Sequence, residues 1–264
     1  MELKNMTCLL TGASGGIGQA MAIALDKAGC ILVLVGRDAA SLEKLNNSLG
    51  NKHQILLADI ATQEGIASIT DAAENNQGLS MIIQAAGTSS FSEFCSQSAE
   101  HIRHTIELNL TVPMLLSRAV LPILETRKNA CLVNVGSAFG SIGFAGFSSY
   151  CASKFGLRGF TEALQREYLK SNVSIKYFAP RATQTSFNSS AVDHLNEALG
   201  NTVDSPEIVA EALLTFLKKD GRRKVVGWPE TFFCRLNGFL PGLVDNALSR
   251  KHSTIIKYAK QNKL

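Results

Sequence analysis

The sequence lacks the features that mark several classes of protein. No two of its six cysteines are separated by only two residues, and most of them lie in apolar runs. This pattern is typical of reduced thiols rather than of a disulfide framework or a zinc site. The net charge of +4 is small, so composition gives no support for nucleic-acid binding. No repeat, low-complexity tract or linker marks a second domain.

Long apolar runs are also missing. No stretch reaches the length that we expect of a membrane-spanning helix. The first residues, MELKN, are polar and give no sign of a secretory signal. We therefore expect a cytoplasmic protein that has no metal site.

Short apolar runs alternate with amphipathic stretches along the chain. Apolar strands separated by helices predict a parallel sheet buried on both faces, which is a doubly wound, Rossmann-like α/β fold. We expect one domain over residues 1–227, with a helical extension of the same domain over residues 228–264. The expected strands are residues 6–10, 31–35, 54–58, 80–84, 130–135, 173–178 and 224–227. The expected helices include residues 17–28, 40–49, 65–75, 99–127 and 154–170.

A glycine-rich turn, TGASGGIG, connects the first expected strand to the first expected helix. Glycines at such a junction let the backbone approach a ligand closely, and the free N–H groups of a helix start favour a pyrophosphate. The position of the turn indicates a dinucleotide site. Its spacing, with Gly12, Gly16 and Gly18, differs from the G-x-G-x-x-G of many dehydrogenases.

The turn resembles the T-G-x-x-x-G-x-G of the short-chain dehydrogenase/reductase family, and the resemblance extends from about residue 4 to residue 227. Further motifs follow in the family's order: Asp59-Ile60, Ala86-Gly87, Asn109, Ser137, Tyr150, Lys154 and Pro180. The resemblance implies a catalytic tetrad of Asn109, Ser137, Tyr150 and Lys154. It implies that the cofactor is bound by Gly12, Ser14, Gly15, Gly16, Ile17, Gly18, Arg37, Asp59, Ile60, Ala86, Gly87, Tyr150, Lys154, Pro180, Thr183 and Thr185.

The end of the second strand, LVLVGRD, indicates which nicotinamide cofactor is used. An acidic side chain there would accept a hydrogen bond from the ribose 2′-OH, whereas an arginine pairs with a 2′-phosphate. The acidic position is Gly36 and Arg37 follows it, so we expect NADP(H) rather than NAD(H). Asp38 is a counter-signal, one residue further on.

Tyr150 and Lys154 stand four residues apart, so on a helix they share one face. An ammonium about 5 Å from a phenol, at an effective dielectric constant of about 20, favours the phenolate by roughly 3 kcal/mol. We therefore expect Lys154 to lower the Tyr150 pKa toward the range of a proton shuttle. By resemblance, Lys154 also holds the nicotinamide ribose, Ser137 polarises the substrate carbonyl, and Asn109 supports a water-linked proton relay.

Two motifs depart from the family pattern. The fourth strand closes with QAAG where the family has N-N-A-G, so both asparagines are replaced. Pro180 is followed by Arg181 where the family has glycine. A position in solvent and a role in binding ligand are both open for Arg181.

The expected activity is reversible reduction of a carbonyl compound to a secondary alcohol. Phe187, Val192 and Leu195 in the loop 185–200, together with Phe144 and Phe147, indicate an apolar pocket suited to a ketone, an aldehyde or a 3-oxoacyl thioester. One alternative is a cofactor-binding regulatory or scaffold protein without turnover. A nucleotide-sugar epimerase or dehydratase would need a longer carboxyl-terminal domain.

The extension 228–264 has apolar residues interleaved with Lys and Arg and is broken at Pro241. It could form two short helices that pack on the core or on a second subunit, cover the substrate, or lie on a membrane. Contact with a membrane is the least favoured of these. By resemblance, the helices that carry Asn109 and Tyr150 form the interface of a homodimer or homotetramer.

Overall fold

Seven parallel strands form one sheet. A computed structural model describes residues 2–262 of the chain. The strands are β1 (Thr7–Thr11), β2 (Ile31–Gly36), β3 (Gln54–Leu57), β4 (Leu79–Gln84), β5 (Ala130–Val135), β6 (Val173–Ala179) and β7 (Arg223–Val225). Their order is β3-β2-β1-β4-β5-β6-β7, and each neighbouring pair is parallel. The predicted doubly wound α/β fold is therefore confirmed.

Helices connect the strands and follow the last one. They are α1 (Gly16–Lys27), α2 (Ala39–Ser48), α3 (Gln63–Asn75), α4 (Ala99–Ile106), α5 (Val112–Glu125), α6 (Ser148–Glu167), α7 (Ser190–Leu199), α8 (Pro206–Leu217), α9 (Glu230–Phe239), α10 (Pro241–Ser249) and α11 (His252–Gln261).

The sheet is buried on both faces, which explains the continuous apolar runs of its strands. Successive side chains of a strand point to opposite faces. Leu10 packs with Met21 of α1 and Leu213 of α8 in one core cluster, whereas Leu9 packs with Leu116 of α5 in the other. The central strands are therefore mostly apolar on both faces.

The strand order reverses between β1 and β4, and ligand sites of open α/β sheets lie at such a reversal, at the carboxyl ends of the strands. Here the two ends are joined by Thr11, whose Oγ1 accepts hydrogen bonds from the backbone N of Ala85 at 3.2 Å and of Ala86 at 3.3 Å. The topology thus positions the glycine turn beside the loop that follows β4.

The expected strand bounds differ from the observed ones by one or two residues, and several helices differ more. The expected helix 99–127 is divided by a π-helical segment, Glu107–Thr111. The expected substrate loop 185–200 contains α7, and α8 was not predicted. The predicted break at Pro241 is confirmed, but a third helix, α11, follows it.

The expectation that no segment is long and apolar enough to span a membrane is wrong by length and composition. The helical run Ala99–Glu125 has 27 residues and an 18-residue window of mean hydropathy 1.3. The reason lies in its packing, since Val112, Leu116, Val120 and Leu124 face the sheet in the second core cluster. Apolar residues on this run therefore build the core of the fold.

Candidate active site

The glycine turn follows β1 directly and ends at the first turn of α1. Gly12 has φ +69°, a conformation that favours glycine. A Cβ on Gly16 would lie 2.6 Å from Thr185 Cγ2, so the glycine turn and the loop that carries Thr185 approach each other closely there. Gly15 is the N-cap of α1 and provides no side-chain cap. The first amides of α1 are therefore left to bind an anion.

A cleft of about 420 Å³ lies at this edge of the sheet. Every residue that the sequence assigned to cofactor binding lines it, as do Ser137, Tyr150 and Lys154. Asn109 is buried behind the wall and is 1% exposed. The structure thus brings the predicted residues together, and their individual roles stay predictions.

The end of β2 is arranged for an arginine rather than for an acid. A Cβ on Gly36 would lie 3.2 Å from Ser14 Oγ, so a larger side chain would crowd the turn. Asp38 is occupied as the N-cap of α2, where it accepts hydrogen bonds from the backbone N of Ala40 and Ser41. The counter-signal from Asp38 therefore has a structural explanation.

The Arg37 side chain is available to bind an anion. Its side chain is 70% exposed, and its ion pair with Asp59 is long, with Nη1 to Oδ2 at 3.8 Å. Asp59 also caps the turn after β3, where its Oδ1 accepts a hydrogen bond from Ala61 N at 3.0 Å. An exposed ion pair of this length contributes little to stability, so exchanging it for a pair with a phosphate costs little.

Ser137 and Tyr150 converge at the base of the cleft. Ser137 follows β5 and caps the short 3-10 turn Ala138–Gly140 through the Phe139 amide, which donates to its Oγ at 3.1 Å. Tyr150 lies in the first turn of α6 and hydrogen-bonds to the Ser137 side chain. The Tyr177 hydroxyl donates a hydrogen bond to Ser137 O at 3.3 Å and so helps to fix the position of Ser137.

Lys154 lies one turn after Tyr150 on the same helix, as the spacing predicted. Its Nζ donates to Val135 O at 3.2 Å and lies 5.8 Å from the centroid of the Tyr150 ring. The lysine is only 5% exposed. Its charged group is therefore buried, and Val135 O is its hydrogen-bond acceptor.

The expectation that Lys154 lowers the Tyr150 pKa is wrong for this structure. Burial raises the pKa of Tyr150 to about 12, against the opposing effect of its hydrogen bond with Ser137. Burial likewise lowers the pKa of Lys154 to about 8. Removal from water favours the neutral form of each group and is the largest cause of both shifts. Tyr150 is therefore a protonated phenol at neutral pH.

Asn109 fixes the loop after β4. Its Nδ2 donates to Thr88 O at 2.9 Å and to Ser153 Oγ at 3.1 Å, and its Oδ1 accepts from Thr88 N at 2.8 Å. A Cβ on Gly87 would lie 2.8 Å from Asn109 Oδ1 and 3.6 Å from Lys154 Nζ. Both side chains therefore converge on Gly87. The π-helical segment that carries Asn109 is a feature found often at functional sites.

Gln84, which departs from the family pattern, supports the sheet from below. Its Nε2 lies within hydrogen-bond distance of Pro113 O, Ser117 Oγ and Asn134 Oδ1, at 3.2, 2.9 and 3.1 Å. Asn134 in turn donates to Thr161 Oγ1 at 2.9 Å. This buried network ties β4 to β5, α5 and α6, which fixes the end of β5 that precedes Ser137 and the helix that carries Tyr150.

Arg181, the other departure, is not a solvent-facing residue. Its side chain is 11% exposed and forms a bidentate pair with Asp204, with distances of 2.9 and 2.7 Å. Its Nη1 donates to Glu230 Oε2 at 2.9 Å and to Trp228 O at 3.0 Å. These bonds raise the Arg181 pKa. Arg181 therefore joins the wall of the cleft to the carboxyl-terminal extension.

The sequence reasoning missed part of the apolar wall. Phe139 lines the cleft, and its ring centroid lies 5.0 Å from those of Phe144 and Phe147 and 6.4 Å from that of Tyr150. The predicted Phe187 lies 6.4 Å from Tyr150. The signal was present, because Phe139 stands two residues after Ser137.

The residues present fit a nicotinamide dinucleotide. The cleft volume lies in the range of about 300–1,000 Å³ that is usual for such ligands. Uncapped amides at the start of α1 suit a pyrophosphate, Arg37 suits a phosphate on the adenosine ribose, and Lys154 suits the hydroxyls of the other ribose. No glycine in the turn could carry a side chain without crowding Gly12, Ala86 or Thr185, except Gly15.

Comparisons with known proteins agree with this geometry. The family model for short chain dehydrogenases matches residues 6–196. Nodulation protein G of Rhizobium meliloti is 32% identical over 180 residues, covering 68% of this chain and 74% of that protein. A 3-oxoacyl-(acyl-carrier-protein) reductase of Pseudomonas aeruginosa is 29% identical over 237 residues, covering 86% and 95%. The solved structure of a short-chain dehydrogenase from Sphingobium yanoikuyae in complex with NADPH matches with a TM-score of 0.77 at 26% identity, covering 91% and 95%.

Proposed function

The chain belongs to the short-chain dehydrogenase/reductase family, and from that premise we propose that it is an NADP(H)-dependent carbonyl reductase. The substrate is an apolar ketone, an aldehyde or a 3-oxoacyl thioester, and the product is an alcohol. The observation that carries the proposal is the placement of Tyr150 beside Ser137 and one helical turn before Lys154, in a cleft that fits the cofactor.

Tyr150 donates its proton to the substrate carbonyl oxygen; because its raised pKa makes the ligand-free phenol a weak acid, the proton leaves only as negative charge develops on that oxygen. Ser137 donates a hydrogen bond to the same oxygen and stabilises the charge that develops there. NADPH, when bound, supplies the hydride. Lys154, whose pKa of about 8 leaves it mostly charged at neutral pH, would bind the ribose, and its positive charge stabilises the Tyr150 phenolate until solvent returns a proton to it.

The substrate pocket is aromatic. Phe139, Phe144, Phe147 and Phe187 line the cleft around Tyr150, and Val192 and Leu195 of α7 extend the same wall. Such a wall binds the apolar part of a ligand and leaves Ser137 and Tyr150 as polar groups for its carbonyl. The relatedness to 3-oxoacyl reductases supports a chain-like substrate.

Turnover is tested by following the loss of NADPH with a panel of ketones, aldehydes and 3-oxoacyl thioesters. Tyr150→Phe should lower kcat by about 10²- to 10⁴-fold because it removes the proton donor. Tyr168→Phe is the matched control, since Tyr168 ends the same helix outside the cleft. Cofactor binding without turnover on any substrate would instead favour the regulatory or scaffold alternative.

Cofactor preference is tested by measuring the affinity for NADPH and for NADH. Arg37→Ala should weaken NADPH binding by about 10- to 100-fold, the size of a charged hydrogen bond, and should leave NADH binding unchanged. Gly36→Asp should disfavour NADPH further, because a side chain there crowds Ser14 and brings a like charge toward the 2′-phosphate. Equal affinities of the wild type for both cofactors would contradict the proposed preference.

We also propose a homodimer or homotetramer. Met114 and Leu115 on α5 and Phe155 on α6 are large apolar side chains on the outer face of the helices that follow Asn109 and contain Tyr150. A second copy would cover them. A monomer in a size measurement at working concentration would overturn this assignment.

A further inference from the structure

The three helices of the carboxyl-terminal extension lie in different environments. α11 is part of the core, because Ile255 and Ala259 are buried against Phe91 and Phe147, and Asn262 donates to Phe91 O at 2.6 Å. α9 and α10 pack on each other and bury only Cys234 and Val244. The pair therefore forms a hairpin attached to the protein by one side.

One side of α9, its inner side, makes polar contacts with the rest of the protein. Asn237 donates to Ser141 O at 2.9 Å, the Cys234 thiol lies 3.7 Å from Ala138 O, and Glu230 pairs with Arg181. Residues three, four and seven apart share a face of a helix, so Phe232, Arg235 and Phe239 lie together on another side, which is exposed.

The helix α10 also has an exposed side. Leu240 and Leu243 are exposed at its start, and Arg250 follows its end on the same side as Leu243. Asp245 lies on the opposite side from Leu243. We call the surface made of Trp228, Phe232, Arg235, Phe239, Leu240, Leu243 and Arg250 the hairpin face.

The apolar side chains of the hairpin face are strongly exposed to solvent. Phe239 is 84% exposed, Trp228 is 72% exposed and Leu243 is 56% exposed. Single exposed apolar residues are normal, but a contiguous group marks an interaction site. The ring centroids of Trp228 and Phe232 lie 5.6 Å apart, so these side chains form one patch.

The charge of the extension indicates which kind of partner binds the hairpin face. Residues 228–264 contain six Lys and Arg against two Asp and Glu. Lys260 on α11 pairs with Glu93 at 3.8 Å, and the hairpin face itself carries Arg235 and Arg250. Of the two acids, Glu230 pairs with Arg181 at 2.9 Å. The other acid, Asp245, lies on the opposite side from the exposed Leu243. A basic surface that exposes Trp, Phe and Leu complements an anionic lipid surface, where aromatic rings lie at the level of the headgroups.

We propose that the hairpin face docks this protein on anionic lipid bilayers. The tip at Phe239 and Leu240 inserts among the lipids, and Arg235 and Arg250 contact the headgroups. A second copy is a poorer fit, because both copies would bring the same excess of positive charge to the contact. The apolar residues on α5 and α6 provide a separate surface for a second copy.

Trp228 makes the proposal directly measurable, because it is the protein's single tryptophan. The full-length protein is mixed with vesicles of phosphatidylcholine alone and with vesicles that also contain phosphatidylglycerol. Tryptophan emission and co-sedimentation with the vesicles are recorded at low and at high salt. We expect a blue shift and sedimentation with the anionic vesicles, and weaker binding at high salt.

Matched variants locate the surface. The double variant Phe239→Ser/Leu243→Ser should lower the vesicle partition coefficient at least tenfold, and Arg235→Gln should lower it about fivefold, in line with about 1 kcal/mol for a basic residue at a charged membrane. Leu169→Ser is the control, since Leu169 is 57% exposed and lies after α6, outside the hairpin face. It should bind vesicles like the wild type.

Three results would overturn the proposal. The first is a wild type that binds neither kind of vesicle and shows unchanged tryptophan emission. The second is equal loss of binding in the control and in the double variant. The third is a smaller oligomer for the double variant in the absence of lipid, because that result would assign the hairpin face to a second copy of this chain.

Discussion

Replacing Lys154 by methionine should stabilise the ligand-free protein while it abolishes activity. The ammonium is buried, and its recorded hydrogen bond goes to Val135 O. A buried charge with few partners costs stability, and an apolar side chain of similar volume removes that cost. The stabilising variant would thus identify a group that is retained for function at the expense of the fold.

The size of the effect follows from the pKa. Burial lowers the pKa of Lys154 from 10.5 to about 8, and such a fall corresponds to about 3 kcal/mol of free energy. Losing the hydrogen bond to Val135 O offsets about 1 kcal/mol of this gain. We therefore expect the free energy of unfolding to rise by about 2 kcal/mol at neutral pH.

The gain has a defined dependence on pH. Below pH 8 the lysine is charged in both the folded and the unfolded chain, so the cost of burying it is present in full. Between pH 8 and 10.5 the folded state releases the proton and the unfolded state keeps it, so the cost declines as pH rises. The difference between variant and wild type should therefore shrink over this interval.

The assay is urea unfolding of both proteins at several pH values, with Lys176→Met as the control. Lys176 is also buried, but it donates to Lys219 O at 2.9 Å and to Gly221 O at 2.6 Å, and its Nζ lies 4.8 Å from the Phe216 ring centroid. Burial lowers the pKa of Lys176 as well, but its replacement leaves two buried carbonyls without their donor, so it should destabilise by about 1–3 kcal/mol. A Lys154→Met variant that is no more stable than the wild type at neutral pH would refute the reasoning.

Two further predictions concern other buried charges. Arg181→Ala should lower the free energy of unfolding by about 3–5 kcal/mol because it leaves the buried Asp204 carboxylate without its cation. Lys52→Ala removes a lysine that is 57% exposed from its pair with Asp26 and should cost at most about 1 kcal/mol. Equal losses in urea unfolding would contradict this. His53 Nδ1 accepts a hydrogen bond from Leu32 N at 3.2 Å, and burial lowers the pKa of His53. The stabilising contribution of His53 is therefore present above its ordinary pKa of 6.5 and is lost as pH falls below that value. His53→Gln should flatten the decline in melting temperature toward about pH 5.

The fold and the position of the cleft could be predicted because their signals are local. A strand buried on both faces is apolar at most of its positions, so each central strand is visible in the sequence. The glycine turn is visible for a similar reason, since Gly12 needs a positive φ. Spacing also placed Tyr150 and Lys154 on one face of a helix.

The parts that were mispredicted depend on residues distant in sequence. The pKa of Tyr150 depends on how completely the surrounding elements bury it, and the phenylalanine wall that does so comes from several loops. Spacing gives the distance between a phenol and an ammonium but not the water that each has lost. Desolvation, which decides the direction here, becomes visible only in the folded chain.

Arg181 shows why the carboxyl-terminal extension and the cleft have to be considered together. The arginine follows β6 in the cleft wall, yet two of its acceptors, Glu230 and the Trp228 carbonyl, belong to the extension. Deleting residues 228–264 would therefore remove these acceptors and also uncover Phe91, which α11 buries. Loss of activity after such a deletion would not by itself identify the extension as a substrate lid. Point variants on the hairpin face avoid this ambiguity, because they leave Arg181 and α11 intact.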